Sequence, residues 1–445
     1  MSAERARTTA VWLVWALALA IVLGFIARDG RNLPFEEDWL MVAPMTHHEP
    51  HLGRWLWSQN SEHRLPLPRL VNLGLLRATG DFRSTMVFDT LMLAAVAGGM
   101  ILSARRLRGG RTSLADAFFP LLLLHLGQWD NLLWAWQIQF VLPTVLVCAV
   151  LLAILAHPAS PPSGALAVGA ALAVASLPLA GANGLVLAPP LAAWLVYAWW
   201  AGRRNDGPGS RAVVAAVGGV AALVLCGVYF IGYQSSPWNG ASPGLGATLA
   251  TTAKFVIYGL GPVTAKAWVV FGAVCATVLA VSLAALLRAL RVEDQERIRI
   301  VGLLAYFAAC GILAAALGWG RAGRVAELGR MSPRYALLAA PLLCAAYFSL
   351  LLYGSTRLRR WGPAALGLLA ALLFPLNMRE GLKRRDWFGA GMAAFERDMA
   401  NGAPIDSLAQ RHYQFLLHWD EPLMAQSMRQ LRDDGFAPFR RLPTP

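Results

Sequence analysis

Long apolar runs recur along almost the whole chain, and short arginine-rich clusters break them. About 20 consecutive apolar residues let a helix cross the hydrocarbon core of a bilayer. The composition agrees: 57% of residues are hydrophobic, 14% are charged, and the mean hydropathy is +0.50. A soluble domain would be about a quarter charged. The expected fold class is therefore all-α, a multi-pass helical integral membrane protein.

The net charge of +14 raises nucleic acid as a partner, but its placement argues against it. Many basic residues sit in clusters between apolar runs, where they orient helices, and no basic stripe with interleaved stacking aromatics occurs. Cys148, Cys226, Cys275, Cys310 and Cys344 all fall inside expected spans without a CxxC neighbour, so neither disulfides nor a cysteine metal site is expected.

The first apolar run, about residues 10–27, follows a basic start and lacks a clear A-x-A cleavage site, so it reads as a retained anchor with a cytoplasmic N-terminus. The clusters at 104–111, 202–211, 288–299 and 355–362 then mark inner loops. Further spans are expected near 84–103, 115–127, 139–156, 163–181, 184–200, 212–232, 267–288, 300–317, 335–354 and 363–376, about eleven in all. Residues 1–377 form the expected transmembrane domain, and 378–445 a small helical tail outside. The segments 28–83, 127–137, 233–266 and 318–335 face outward, joined by the turn "AGANG" at 180–184. No internal repeat stands out.

The 318–335 segment breaks the charge rule. Arg321, Arg324, Arg330 and Arg334 lie on the face where topology disfavours them, which suits a phosphate site, because guanidinium forks match phosphate oxygens bidentately.

Ionisable residues also crowd the first loop. "FEEDW" places Glu36, Glu37 and Asp38 just beyond the first span, where neighbouring carboxylates raise one another's pKa and one can act as a general base. Trp39, Trp55 and Trp57 are expected at headgroup level, on interfacial helices. In "HHEPH", His47 and His51 have the i, i+4 spacing of a metal pair, but Pro50 opposes a helix there, so no metal site is assigned. "QNSEHRLPLPRL" offers His63 and Arg64 to an anion, or to an ion-pair network. "GQWDNLLWAWQ" sets Asp130, Asn131 and Gln137 beside Trp134, apolar faces with polar edges that suit a sugar ring as well as an aromatic belt. Asn183 lines the same cavity or makes a turn, and Tyr335 follows Arg334 at the mouth of a span.

An acidic motif early in a large first outer loop, interfacial helices, many spans and outer arginines resemble the GT-C superfamily of polyprenyl-phosphate-dependent glycosyltransferases. "SEHR", "GQWDNLLWAWQIQF", "GANG" and "GRMSPRY" look like segments of uncharacterised bacterial membrane proteins assigned to that superfamily. The resemblance implies a bacterial inner-membrane enzyme whose site faces the periplasm. A polyprenyl-phosphate-linked sugar would be the donor and a glycan or lipid the acceptor, with membrane lipids around both. Glu36, Glu37 or Asp38 would be the base, and the choice among them stays open. The four loop arginines, with His63 and Arg64, would hold the donor phosphate. Asp130, Asn131, Gln137, Trp134, Asn183 and Tyr335 would meet sugar or acceptor. No cofactor is assigned, and a divalent cation is left open. A surface-glycan ligase or polymerase and a lipid-linked sugar transporter remain the rival readings, Asp89 being the clearest mid-span acid.

Overall fold

A computed structural model describes residues 3–156, 164–206, 210–235 and 242–443. Of the expected inner cluster at 202–211, residues 207–209 lie outside the described residues, as do 236–241 of the loop 233–266.

Among the described residues, thirteen helices form the bundle and the tail. The apolar ones are α1 (Ala3–Asp29), α2 (Arg83–Leu107), α3 (Ile138–Ala156), α4 (Gly164–Ser176), α5 (Ala182–Asp206), α6 (Ser210–Tyr229), α7 (Leu245–Tyr258), α8 (Trp268–Val292), α9 (Arg297–Leu328), α10 (Ala336–Tyr353) and α11 (Thr356–Ala400). Two amphipathic helices follow, α12 (Ile405–Leu416) and α13 (Glu421–Asp433). Among the described residues, the 14-residue helix Pro66–Thr79 and shorter helical turns fill the loops, and one two-stranded ribbon pairs Gln59–Asn60 with His63–Arg64.

Among the described residues, eight helices are long and apolar enough to cross a membrane: α1, α2, α3, α5, α8, α9, α10 and α11. The chain is a multi-pass helical membrane protein. Three more apolar helices, α4, α6 and α7, are shorter. At 1.5 Å per residue the 13 residues of α4 rise only about 20 Å, less than the core of a bilayer.

The expected span at 115–127 is corrected. Pro120 sits in a six-residue helix, Phe118–Leu123, which ends before His125, so no long helix forms. The segment still runs beside α11. Its start is held by Glu4, whose carboxylate accepts from the Thr112 N–H at 2.7 Å, and its end by Asp130, which accepts from the Ser332 hydroxyl at 3.0 Å. Alongside it, Gly367 of α11 packs on Ala115 and Gly381 on Leu126. Those 14 residues of helix advance about 21 Å. A Cβ at Gly381 would lie 2.1 Å from the Leu126 carbonyl oxygen, so only glycine lets the two backbones meet.

The expected outer loop 233–266 is also corrected, because it contains the apolar helix α7, Leu245–Tyr258; other differences concern helix ends. The expected outer loop 318–335 is helical to Leu328, where Gly329 closes α9 with a φ of +66°. α11 runs unbroken through Pro375 and across the expected domain boundary at 377/378, so the last apolar helix and the start of the tail are one element.

These contacts sort the charges to two ends. At one end Arg108 pairs with Asp116 at 2.7 Å, Arg299 with Glu296 at 3.0 Å, and Arg288 reaches the Tyr353 carbonyl. The first loop, segment 127–137, the start of α5, the end of α9 and the tail meet at the other.

Candidate functional site

"FEEDW" folds into a tight turn, and its three acids take three different environments. Glu36 opens the turn with a φ of +52°, a conformation rare for a residue with a Cβ. Its carboxylate bonds His418 of the tail at 2.9 Å, and that bond raises the His418 pKa. Asp38 is fully buried: Oδ1 accepts from the Trp136 N–H at 2.8 Å and Oδ2 from the Phe35 N–H at 3.3 Å. It ties the first loop to the 135–137 turn, and burial pushes its carboxyl up. Glu37 has no such role. Its Oε2 is buried without a hydrogen-bond partner, and burial pushes the carboxyl up to about 7, with the charge of Arg334 opposing.

Arg334 sits among aromatic rings, its guanidinium carbon 5.6 Å from the centroid of Trp134, 5.5 Å from Phe140 and 5.9 Å from Tyr335. Cation–π attraction holds the charge there without using its hydrogen-bond donors, and Nε is buried with no partner. Its backbone carbonyl accepts from Asn131 Nδ2 at 3.1 Å. Asp130, bonded to Ser332 through Oδ2, leaves Oδ1 buried and unpartnered; burial raises its pKa against the pull of Arg334.

Unpartnered polar atoms concentrate here. Among the described residues, seventeen buried side-chain N and O atoms lack a hydrogen-bond partner, and ten of them belong to Glu37, Arg334 and the segment 125–137. They include both amide atoms of Gln137, Oδ1 of Asn131, and the indole nitrogens of Trp129, Trp134 and Trp136. Each such atom costs about 1–3 kcal/mol unless a ligand or water meets it. A polar ligand rich in hydroxyl and phosphate oxygens would satisfy them.

Beside this group, Arg321 reaches the Glu62 carboxylate and the Tyr335 hydroxyl. His63 lies 3.5 Å from the same carboxylate and accepts from the Ala182 N–H at 3.3 Å; burial pushes its pKa down to about 4, so it stays neutral. Asn183 is buried in the first turn of α5. Arg64 is engaged elsewhere: Nε donates to the Tyr229 carbonyl at 3.0 Å, Nη1 to Trp57 at 2.8 Å and Nη2 to Ile231 at 2.9 Å. It is a clamp on backbone carbonyls, not an open anion site. Arg324 and Arg330 are exposed.

Of the expected residues, Glu37, Arg334, Asp130, Asn131, Gln137, Trp134 and Tyr335 come together, with His63 and Arg321 next to them. Trp39 departs from its expected place at the headgroups: it is buried, donating from Nε1 to the Leu416 carbonyl at 3.1 Å. Trp55 and Trp57 cover Arg69 and Arg64. Sequence reasoning missed the tail's His418, and also Arg384, whose charge reaches Asp130. The basic run "REGLKRR" directly after the last apolar stretch was the available signal for Arg384. No group of three or more His, Cys, Asp or Glu side chains among the described residues is arranged to hold a metal ion. No family model, curated protein or solved structure matches the chain.

Proposed function

We propose that the protein is a membrane glycosyltransferase of GT-C type, which moves a sugar from a polyprenyl-phosphate donor to a glycan or lipid acceptor. Glu37 is the base. The observation that carries this reading is a half-buried carboxyl near neutral pKa, its Oε2 buried without a hydrogen-bond partner, in the field of an aromatic-caged arginine and beside other unpartnered polar atoms. A general base works best when its pKa lies near the operating pH. Glu37 takes the proton of the acceptor hydroxyl as that oxygen attacks the anomeric carbon. The bond from that carbon to the phosphate oxygen breaks, and its electron pair leaves with the polyprenyl phosphate. Arg334 neutralises the charge that develops there. Direct displacement inverts the anomeric centre. Asp38 positions the turn; Asp130, Asn131 and Gln137 meet sugar hydroxyls against Trp134.

Glu37→Gln is expected to lower turnover about a hundredfold with donor binding retained. Arg334→Lys keeps the charge without the fork and should weaken affinity for a short-chain prenyl phosphate, with a further loss in Arg334→Ala. Full activity in Glu37→Gln would end the assignment. The site faces the exterior in this reading, so cysteines introduced in the first loop and the tail should label from outside, and those at 104–111 from inside.

One observation favours the transporter reading. Asp89 is buried in α2, and neither carboxylate oxygen has a hydrogen-bond partner. A membrane-embedded acid of this kind commonly carries protons or ions. If Asp89→Asn abolished movement of a lipid-linked sugar across vesicles while Glu37→Gln left it intact, transport would be the better account.

A further inference from the structure

At the end of the bundle away from Glu37, α8, α10 and α11 enclose two cavities. The first, of about 190 Å³, is apolar, lined among others by Val274, Val278 and Val281 of α8, Leu350 of α10, and Leu366 and Leu369 of α11. The second, of about 150 Å³, is lined by Arg288, Ala289, Val292, Glu293, Tyr353 and Arg359.

The two lie next to each other along the seam between these three helices. On α8 the lining positions 274, 277, 278, 281, 288, 289 and 292 all fall within one side of the helix. On α10, Leu350 and Tyr353 are one turn apart. On α11, Leu358 lines the apolar part and its neighbour Arg359 the polar part. From Val274 to Arg288 the groove follows 14 residues of helix, about 21 Å, enough for an acyl chain within one leaflet and a headgroup at its surface.

Two guanidinium groups are fixed at the mouth by consecutive carbonyls that end α10. Arg288 Nη2 donates to the Tyr353 carbonyl at 3.1 Å, and Arg359 Nε donates to the Gly354 carbonyl at 2.9 Å. Both arginines keep further donors. The Tyr353 hydroxyl is already bonded to Glu296 at 2.6 Å, and Glu293 is the one carboxylate lining the polar cavity. The mouth therefore carries a net positive charge above an apolar cleft. We propose that this groove binds an anionic glycerophospholipid, with its phosphate on Arg288 and Arg359 and one acyl chain along Val274–Val281. Charge complementarity favours an anionic headgroup, and the apolar continuation favours a lipid over a free phosphate. The site is independent of the sugar-transfer reading.

Native mass spectrometry of the full chain, exchanged into phosphatidylglycerol or phosphatidylcholine, tests this. Phosphatidylglycerol should be retained with about tenfold or greater preference, the worth of two arginines at an anionic surface. The double variant Arg288→Gln/Arg359→Gln should lose that preference, and Arg288→Lys/Arg359→Lys should keep part of it. Ala365 of α11 also lines the apolar cavity, and Ala365→Trp, which fills that part without touching a charge, should weaken retention of the same lipid. On the wild-type protein, glycerol 3-phosphate should not displace it. Equal retention of the two lipids, or displacement by the chain-free headgroup, would overturn the proposal even if a variant failed to fold.

Discussion

At the scale of single residues, three adjacent acids differ because only Asp38 has both carboxylate oxygens held by the amides of other residues. Asp38 meets two N–H groups, Glu36 meets a histidine, and Glu37 keeps one buried oxygen without a partner. The Glu37 carboxyl, raised from 4.5 to about 7, links site chemistry to stability. The folded state binds the extra proton between those values, so the contribution of Glu37 to stability falls as pH rises through that window, and the penalty is complete above about pH 7. A displacement of this size corresponds to at most about 3 kcal/mol. Glu37→Gln should therefore raise the thermal midpoint at pH 8 and change it little at pH 4. Catalysis has the opposite sign: activity should rise with pH as Glu37 ionises near 7. Arg334 opposes the burial effect, so Arg334→Gln should move that limb to higher pH in the residual activity. A limb that stayed in place or moved down would show that Glu37 is not the titrating base.

At the scale of elements, the ribbon Gln59–Arg64 is pinned by its own last residue. Arg64 bonds the carbonyls of Trp57, Tyr229 and Ile231, and its N–H donates to the Tyr229 hydroxyl at 3.0 Å, fastening the first loop to the end of α6. Arg64→Ala leaves those carbonyls without their donor and should cost on the order of 3 kcal/mol, whereas Arg324→Ala on the exposed side of α9 should stay within about 0.5 kcal/mol. Thermal unfolding in detergent separates the two, and equal effects would refute the clamp. This arginine also shows where sequence reading runs out. "SEHRLP" marks His63 and Arg64 alike as anion ligands, since nothing local reveals that Tyr229, 165 residues away, supplies the partner. Apolar runs are local, so most spans could be read directly. The break at Pro120 and the extension of α9 to Leu328 depend on tertiary packing and helix-end geometry. The Arg334 cage was readable only in its parts, as aromatics in "WDNLLWAWQIQF" and an arginine in "SPRY".

At the scale of the whole molecule, the tail completes the wall around the first loop. Phe35 packs edge-on against Trp134 at 5.5 Å and Phe388 at 5.2 Å, and meets Phe415 at 5.5 Å. Trp39 joins Phe439 at 6.1 Å, Phe82 joins Phe436 at 6.0 Å, and His418 bonds Glu36. The acids thus lie between the bundle and a helical cover formed by the end of α11, α12 and α13. Burial is the largest cause of the raised Glu37 pKa, so the cover and the chemistry are coupled. A chain ending at Ala400 keeps every apolar helix, including α11 with Phe388, and should still insert. It loses Phe415, His418, Phe436 and Phe439. Water then reaches Glu37, its pKa relaxes towards 4.5, and the acid limb of the activity profile should move down by a pH unit or more, about what removing a desolvation penalty of a few kcal/mol allows. The first loop should also become cleavable by protease between residues 31 and 60, where the intact chain resists. A truncated chain with an unchanged limb and an equally resistant loop would mean that the bundle alone buries Glu37. Resistance lost without any shift of the limb would make the tail a brace for the loop, with no influence on the base.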